Sequence, residues 1–155
     1  MRINKLKEKF LNIEEAKEIK ECVMVYGHFT TIHTGHIRYL KQASQKDKNL
    51  IVALLGDDDV DTSYQFSQIE RAEGLSSIEI IDKIVLLKKN ELSDAIKRIK
   101  PTCLVLGKEF QTTKDKNIKN AIREMNQNGG EVLFDAGVIN YATVDLLNES
   151  SQKLL

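Results

Sequence analysis

Five short apolar runs, separated by stretches of helical periodicity, set the strongest limit on how this chain can fold. They lie at residues 22–26, 49–55, 82–87, 102–106 and 131–134. Such runs do not alternate with polar residues, which is typical of parallel strands covered on both faces. Strands of this kind that alternate with helices indicate a doubly wound α/β fold. The sequence therefore predicts a five-stranded parallel sheet in one domain, a size that 155 residues allow.

Helical periodicity predicts the helices that connect these strands. It covers residues 35–43, 69–78, 91–99, 117–128 and 144–155. Pro101 ends the third helix because proline cannot continue the hydrogen-bond ladder, and Gly129-Gly130 ends the fourth in a left-handed cap. Apolar residues spaced among charges over residues 3–20 predict one or two amphipathic helices. We therefore expect an N-terminal helical extension over residues 1–20 and the main domain over residues 21–155.

All three histidines of the chain fall in one stretch, the residues GHFTTIHTGHIRYL from Gly27 to Leu40. His33 and His36 frame a His-Thr-Gly-His box between the first strand and the helix that follows it. In open α/β sheets the ligand binds at the carboxyl ends of the strands, and the box lies at such an end. A helix N-terminus also offers unpaired N–H groups and positive potential to an anion. We interpret the box as a phosphate site.

Two other interpretations of the box stay open at this point. His33 and His36 are three residues apart and can share a zinc ion on a helix, although no Cys, Asp or Glu lies nearby in sequence. The histidines can also be purely structural. The phosphate interpretation needs no nucleophile and no phosphate-binding lysine, and the chain has neither a Walker A pattern nor a GxGxxG fingerprint. We expect a phosphate site and no metal held by the protein.

Composition bears on the location of the protein and on its partners. Lys plus Arg and Asp plus Glu both number 23, and a formal net charge of zero argues against non-specific nucleic-acid binding. No apolar run reaches the ~20 residues of a membrane span, and the N-terminus lacks the pattern of a secretory signal. Cys22 and Cys103 form no CxxC pair and are expected to be buried free thiols in a reducing cytoplasm. We expect a cytoplasmic protein that binds neither nucleic acid nor membrane.

The residues GHFTTIHTGH from Gly27 to His36 resemble G-x-F-D-x-x-H-x-G-H, the signature of the cytidylyltransferase-like (HxGH) nucleotidyltransferase family. The continuation GHIRYL resembles the nucleotidyltransferase domain of ADP-heptose synthases, and glycerol-3-phosphate cytidylyltransferases are similar too. Four later segments resemble the family in the same order: NLIVALLGDDDV, ERAEGLSSIEIIDKIVLL, IKPTCLVLGKEF and GGEVLFDAGVINYATVDLL. The resemblance spans about residues 20–150 and implies a Rossmann-like sheet of the HxGH nucleotidyltransferase type.

The resemblance implies an enzyme that transfers NMP from CTP or ATP to a sugar-phosphate or polyol-phosphate and releases pyrophosphate. Mg²⁺ would accompany the nucleoside triphosphate. The acceptor's phosphate would attack the α-phosphorus in line, and the products would be carbohydrate precursors of cell-envelope glycans.

Carried over by position, the resemblance also implies roles for single residues. His33 and His36 would be catalytic, since they would hold the α- and β-phosphates and stabilise the transition state. Nucleotide binding would fall to His28, Phe29, Thr30, Gly35, Lys108, Glu109, Tyr141 and Thr143. Arg71 is a candidate substrate contact, with a structural salt bridge as the alternative.

The chain departs from the family pattern where the family binds phosphate. The loop at residues 61–68 has no lysine or arginine, and the family's S-T-T triplet is replaced by ATV at residues 142–144. The basic residue often found near that triplet is also missing. Lys108 and Lys114 are the nearest candidates in sequence to compensate. A non-catalytic nucleotide-binding or regulatory domain with a degenerate site is therefore the alternative to an enzyme.

The resemblance also bears on assembly. ADP-heptose synthases join such a domain to a sugar kinase, so we expect a fused or partner sugar kinase and a chain that is a fragment of a longer protein. Relatives of this domain often form dimers, and a homodimer is a further expectation.

Overall fold

The computed structural model describes residues 7–30, 32–57 and 66–134, which form a six-stranded parallel sheet with helices on both faces. The strands are β1 Phe10–Leu11, β2 Cys22–Gly27, β3 Asn49–Leu54, β4 Lys83–Leu86, β5 Cys103–Leu106 and β6 Glu131–Phe134. The helices are α1 Thr34–Ser44, α2 Gln68–Ser76, α3 Leu92–Ile99 and α4 Lys116–Gln127, and a 3₁₀ turn covers Lys108–Thr112. The strand order is β1-β4-β3-β2-β5-β6.

Strands β2, β3 and β5 are buried on both faces, as the sequence predicts, whereas β6 at the edge of the sheet is only partly buried. Successive side chains of a strand point to opposite faces, and two separate clusters result. One cluster holds Met24 of β2 with residues of α3 and α4 such as Ile96. The other holds Val23 of β2 with residues of α1 and α2 such as Leu40. The prediction of a doubly wound parallel α/β sheet is therefore confirmed, with one strand more than expected.

The additional strand comes from the N-terminal segment. Phe10 and Leu11 pair in parallel with β4, and the Ile84 N–H donates to the Lys9 carbonyl at 2.8 Å. Over residues 12–20 the chain forms turns and irregular structure instead of helix. The helical prediction is therefore wrong for residues 10–20, because a short apolar pair is buried better against the open edge of β4 than on an isolated helix. The domain limits at residues 20 and 21 stay a prediction.

Both predicted helix ends are confirmed. Lys100 has a left-handed backbone (φ 56°) after α3, and Pro101 follows. Gly129 has φ 75° after α4, and the N–H groups of Gly129 and Gly130 donate to the carbonyls of Asn126 and Met125. These two hydrogen bonds form a Schellman motif. The predicted last helix, residues 144–155, lies outside the described residues.

The strand order creates a switch point beside β2. The chain runs outward from β2 to β3 and β4, then crosses back to β5 on the other side of β2. The connections that leave the carboxyl ends of β2 and β5 therefore diverge and open a crevice, which is where ligands bind in such sheets. The His-Thr-Gly-His box directly follows β2.

The two cysteines are buried free thiols, as predicted. Burial raises the pKa of Cys22 to about 12 and that of Cys103 to about 11, so both stay protonated and poorly nucleophilic. In the described part of the chain, no helix has the length and apolar character needed to cross a membrane.

Candidate functional site

The histidine box forms the N-terminal cap of α1. His33 is the N-cap residue, with an extended backbone, and its Nδ1 accepts from the Gly35 N–H at 3.0 Å. The His33 N–H in turn donates to Nδ1 of His36 at 3.3 Å. The helix begins at Thr34 because His33 takes the capping place that Ser, Thr, Asp or Asn usually fills. The predicted start at residue 35 is one residue late.

These two hydrogen bonds fix the tautomers of both imidazoles. A backbone N–H can only donate, so Nδ1 of each ring carries no proton in this arrangement, and a neutral ring then carries it on Nε2. The ring centroids of His33 and His36 are 4.0 Å apart, with an interplanar angle of 52°. Burial lowers the pKa of His36, and the neighbouring His33 lowers it further. The site therefore presents neighbouring Nε2–H donors at the positive end of a helix, which suits a phosphate.

The turn between β2 and the box is held in an unusual backbone conformation. Phe29 has a left-handed backbone (φ 52°), although its side chain is buried. Its ring centroid lies 6.1 Å from that of His36, with an interplanar angle of 58°. A Cβ added at Gly27 would approach Cε2 of Phe29 to 3.1 Å, so glycine lets the Phe29 ring fold back over the strand end. The turn thus places an aromatic wall beside the histidines.

Arg71 ties this turn to two other loops. Its guanidinium donates to the carbonyls of His28 at 2.9 Å, Leu55 at 3.0 Å and Phe66 at 3.2 Å. A fourth N–H donates to the carboxylate of Asp57 at 3.2 Å, and 1% of the Arg71 side chain is exposed. These contacts support the structural interpretation of Arg71, while a direct substrate contact stays a prediction.

Sequence reasoning missed two residues that organise this edge of the sheet. Asp57 pairs with Arg71 and accepts from the Gln68 N–H at 2.7 Å. The Gln68 side-chain amide donates to the carbonyls of Leu54 and Leu87, at the ends of β3 and β4. The acidic residues 57–59 that follow the second strand are visible in the sequence, but Arg71, the partner of Asp57, is 14 residues away. The sequence predicts Gln68 to lie in a loop, whereas it is the first residue of α2, and its polar side chain gives no signal of these contacts.

The structure places the remaining predicted residues in three groups. Thr30 lies in the turn next to Phe29, and its hydroxyl is buried with no hydrogen-bond partner among the described residues. Lys108, Glu109 and Lys114 follow β5 and are exposed, with the Glu109 carboxylate folded back over the Gly107 backbone. Tyr141 and Thr143 lie outside the described residues.

The described residues provide no further ligand that would support the zinc interpretation of the histidine box. Over residues 7–30, 32–57 and 66–134, no three His, Cys, Asp or Glu side chains are grouped so that they could hold a metal ion. Nδ1 of both histidines is also occupied by a backbone N–H.

Comparison with known proteins agrees with this geometry. Residues 24–147 match the protein family described as cytidylyltransferase-like. An FAD synthase from Pyrococcus horikoshii is 39% identical over 90 residues, which cover 55% of this chain and 61% of that protein. The bifunctional protein HldE from Nitratiruptor sp. is 32% identical over 100 residues, which cover 61% of this chain and 22% of HldE. The chain thus matches about three fifths of the first relative and about a fifth of the second.

A solved structure shares the fold. The lipopolysaccharide core biosynthesis protein from Thermoplasma volcanium superposes with a TM-score of 0.59 at 23% identity, covering 74% of this chain and 93% of that one. At this identity the likeness concerns the fold alone.

Proposed function

The chain belongs to the cytidylyltransferase-like family, and from this premise we propose that it transfers NMP from CTP or ATP to a phosphorylated small molecule. The observation that supports this proposal most directly is the pair of Nε2–H donors of His33 and His36. The cap of α1 holds both rings at the carboxyl end of the central strand. The nucleoside triphosphate enters with its Mg²⁺ as substrate.

The chemistry needs little more than position and charge stabilisation. An oxygen of the acceptor phosphate forms a bond to the α-phosphorus, and the bond between that phosphorus and the bridging oxygen of pyrophosphate breaks. Negative charge develops on the phosphoryl oxygens during this exchange, and fixed N–H donors stabilise it. Because His36 has a lowered pKa, it donates as a neutral imidazole and needs no added proton at neutral pH.

The remaining predicted residues surround this centre in the proposal. His28, Phe29, Thr30 and Gly35 form the wall of the nucleotide site on the β2 side. Lys108 and Glu109 follow the neighbouring strand β5, from which they would reach the ribose or base. Lys108 and Lys114 are exposed cations that would compensate for the basic residues missing from the family pattern. Tyr141 and Thr143 would complete the triphosphate site.

Two classes of acceptor are supported by relatives. The resemblance to ADP-heptose synthases favours a sugar-phosphate or polyol-phosphate, within cell-envelope carbohydrate metabolism and with a sugar kinase as fused or separate partner. The FAD synthase match, at 39% identity, favours flavin mononucleotide, because FAD consists of this molecule joined to AMP. A cytoplasmic homodimer completes the proposal.

Measuring pyrophosphate release from a panel of nucleotide and acceptor pairs tests the proposal. CTP and ATP are each combined with heptose-1-phosphate, glycerol-3-phosphate and flavin mononucleotide. We expect one pair to turn over and His36→Ala to reduce kcat by about 10²–10³-fold, the loss typical of one transition-state donor. Nucleotide binding by calorimetry without turnover of any pair would instead identify a non-catalytic nucleotide-binding domain.

A further inference from the structure

An open cavity of about 200 Å³ lies next to the histidine pair, between the β2–α1 turn and α2. The turn contributes Phe29, Thr30 and Ile32 to its lining, and the segment around α2 contributes Phe66, Glu70, Arg71 and Gly74. Phe29 is shared with the catalytic site, since its ring lies 6.1 Å from that of His36. A ligand in the cavity would therefore lie beside the proposed point of phosphoryl transfer.

The cavity offers few polar groups to a ligand. Four of the five N–H donors of Arg71 are used within the protein. One carboxylate oxygen of Glu70 accepts from the Ser67 N–H at 3.2 Å, as part of the α2 capping box. The Thr30 hydroxyl has no partner among the described residues. Among the described lining side chains, one carboxylate oxygen and one N–H thus remain for the ligand, together with the Thr30 hydroxyl, which the cavity shares with the proposed nucleotide site.

This polar set does not suit a phosphate or a polyhydroxylated group. The Glu70 carboxylate repels a phosphate, and the charge of Arg71 is already paired with Asp57. Several sugar hydroxyls would lose water without gaining a partner, and each such loss costs roughly 1–3 kcal/mol. The phosphate of an acceptor therefore stays outside, with the histidines, and the cavity receives the other end of the molecule.

The apolar lining indicates what that end is. Phe29, Ile32 and Phe66 provide two aromatic rings and an aliphatic side chain. Phe66 is 46% exposed, one of two large hydrophobic residues exposed in the described part of the chain. An exposed ring at the rim of a cavity offers a face for stacking. Pockets that hold whole ligands measure roughly 300–1,000 Å³, so this cavity accommodates a part of one.

We propose that this cavity binds the non-phosphate end of the acceptor and that this end is a planar, largely apolar ring system. The inference rests on the proposed function, since it assigns the acceptor of that reaction to one of its two candidate classes. The dimethylbenzene half of the flavin mononucleotide ring system has this chemistry, and its polar pyrimidine edge and ribityl phosphate would stay at the open mouth. Sugar-phosphates and polyol-phosphates carry no such ring.

Calorimetric titration with riboflavin, which carries the ring without the phosphate, tests the cavity directly. We expect binding to the wild-type chain and a loss of about tenfold or more in affinity in Phe66→Ala, since it removes a stacking ring. Gly74→Leu should do the same by filling the cavity. The backbone of Gly74 tolerates this change, because an added Cβ would lie 3.8 Å from Ile32 Cδ1, an ordinary contact.

Ile69→Ala is the matched control. Ile69 is 48% exposed and close to Phe66 in sequence, but it does not line the cavity. The affinity of this variant for riboflavin should therefore differ from that of the wild-type chain by less than about twofold. Circular dichroism of each variant checks that the fold is intact. The inference is overturned when riboflavin does not bind the wild-type chain, or when folded Phe66→Ala and Gly74→Leu bind it as the control does.

The transfer assay separates this inference from the proposed function. Pyrophosphate release with a sugar-phosphate, at a KM unchanged by Phe66→Ala, would refute the ring-binding cavity and leave the proposed function in place. Riboflavin binding with the expected pattern of variants, but no pyrophosphate release from any pair, would refute nucleotidyl transfer and leave the cavity in place.

Discussion

His33 and His36 accept backbone hydrogen bonds through Nδ1, so the same two atoms that cap α1 decide what each ring presents to a ligand. A doubly protonated His36 could not accept from the His33 N–H, because both ring nitrogens would then be donors. Protonation of His36 therefore conflicts with the cap as well as with its partial burial. The capping role of this residue and its proposed catalytic role depend on one protonation state.

We expect the pKa of His36 to lie below its ordinary value of 6.5, because burial and His33 both oppose its charge. The unfolded chain then binds this proton more readily than the folded chain. The free energy of unfolding gains a contribution that is fully present above pH 6.5 and is lost as pH falls through the folded pKa. A proton NMR titration of the imidazole measures the pKa, and His36→Gln serves as the control for the stability profile. A titration midpoint above 6.5 would contradict the expectation.

Arg71 joins three loops through one buried guanidinium, and its removal should affect stability first. Arg71→Met would leave three carbonyls and the Asp57 carboxylate without their donor. We expect the free energy of unfolding to fall by about 3–5 kcal/mol, because each of the three carbonyls loses its donor at a cost of roughly 1–3 kcal/mol. The ion pair itself contributes little, since the Asp57 side chain is 59% exposed. Chemical denaturation measures this, and Asp57→Asn, which keeps an oxygen acceptor, should cost much less. A substrate contact alone would raise KM and leave the denaturation midpoint unchanged.

At the scale of elements, the strands were more predictable than the connections. The runs around Met24, Ile51 and Leu104 are apolar throughout because both their faces are covered, and this signal is local. The cap at Gly129 was likewise predictable, since a left-handed backbone favours glycine. Residues 10 and 11 gave no such signal, because a two-residue strand is defined only by the edge that it meets.

The candidate site was likewise predictable only in part. The sequence predicted the histidine pair and its place after β2, since a strand, a turn and a helix follow one another directly. It could not predict that His33 is the N-cap, because histidine is not among the residues that usually fill that position. Nor could it predict the cavity between Phe29 and Phe66, which depends on how α2 packs beside the turn.

Helix α1 offers a direct test of whether its cap forms the binding site. A Cβ at Gly35 would lie 2.8 Å from Cε1 of His33, so Gly35→Ala should push the ring aside and break the bond to Nδ1. We expect nucleotide affinity in calorimetry to fall by about tenfold, the equivalent of one charge-assisted hydrogen bond. Gly74→Ala is the matched control, since its Cβ makes an ordinary contact in a helix. If both variants bind the nucleotide with equal affinity, the cap of α1 is not part of the nucleotide site.

At the scale of the whole molecule, the strand order separates the candidate site from the N-terminal strand β1. The crevice opens beside β2, in the middle of the sheet, while β1 covers the outer edge of β4. Lys9 reinforces that edge, because its ammonium donates to the carbonyls of Ser76 and Ile78 at the end of α2. The helix that lines the cavity is therefore held at its C-terminal end by the N-terminal segment.

Hydrogen exchange can test this edge amide by amide. The Ile84 N–H donates to the carbonyl of Lys9, the residue before β1, at 2.8 Å, whereas the Leu87 N–H donates to the carbonyl of Leu54 of β3 at 3.1 Å. Phe10→Asp places a charge where an apolar ring packs against the core, so β1 should detach. Exchange at Ile84 should then become about tenfold faster or more, while Leu87 keeps its protection because its partner lies on the other side of β4. If both amides respond equally, Phe10 supports the whole sheet and not its edge alone. If neither responds, the N-terminal segment does not pair with β4 in solution, and the end of α2 must be held by other contacts.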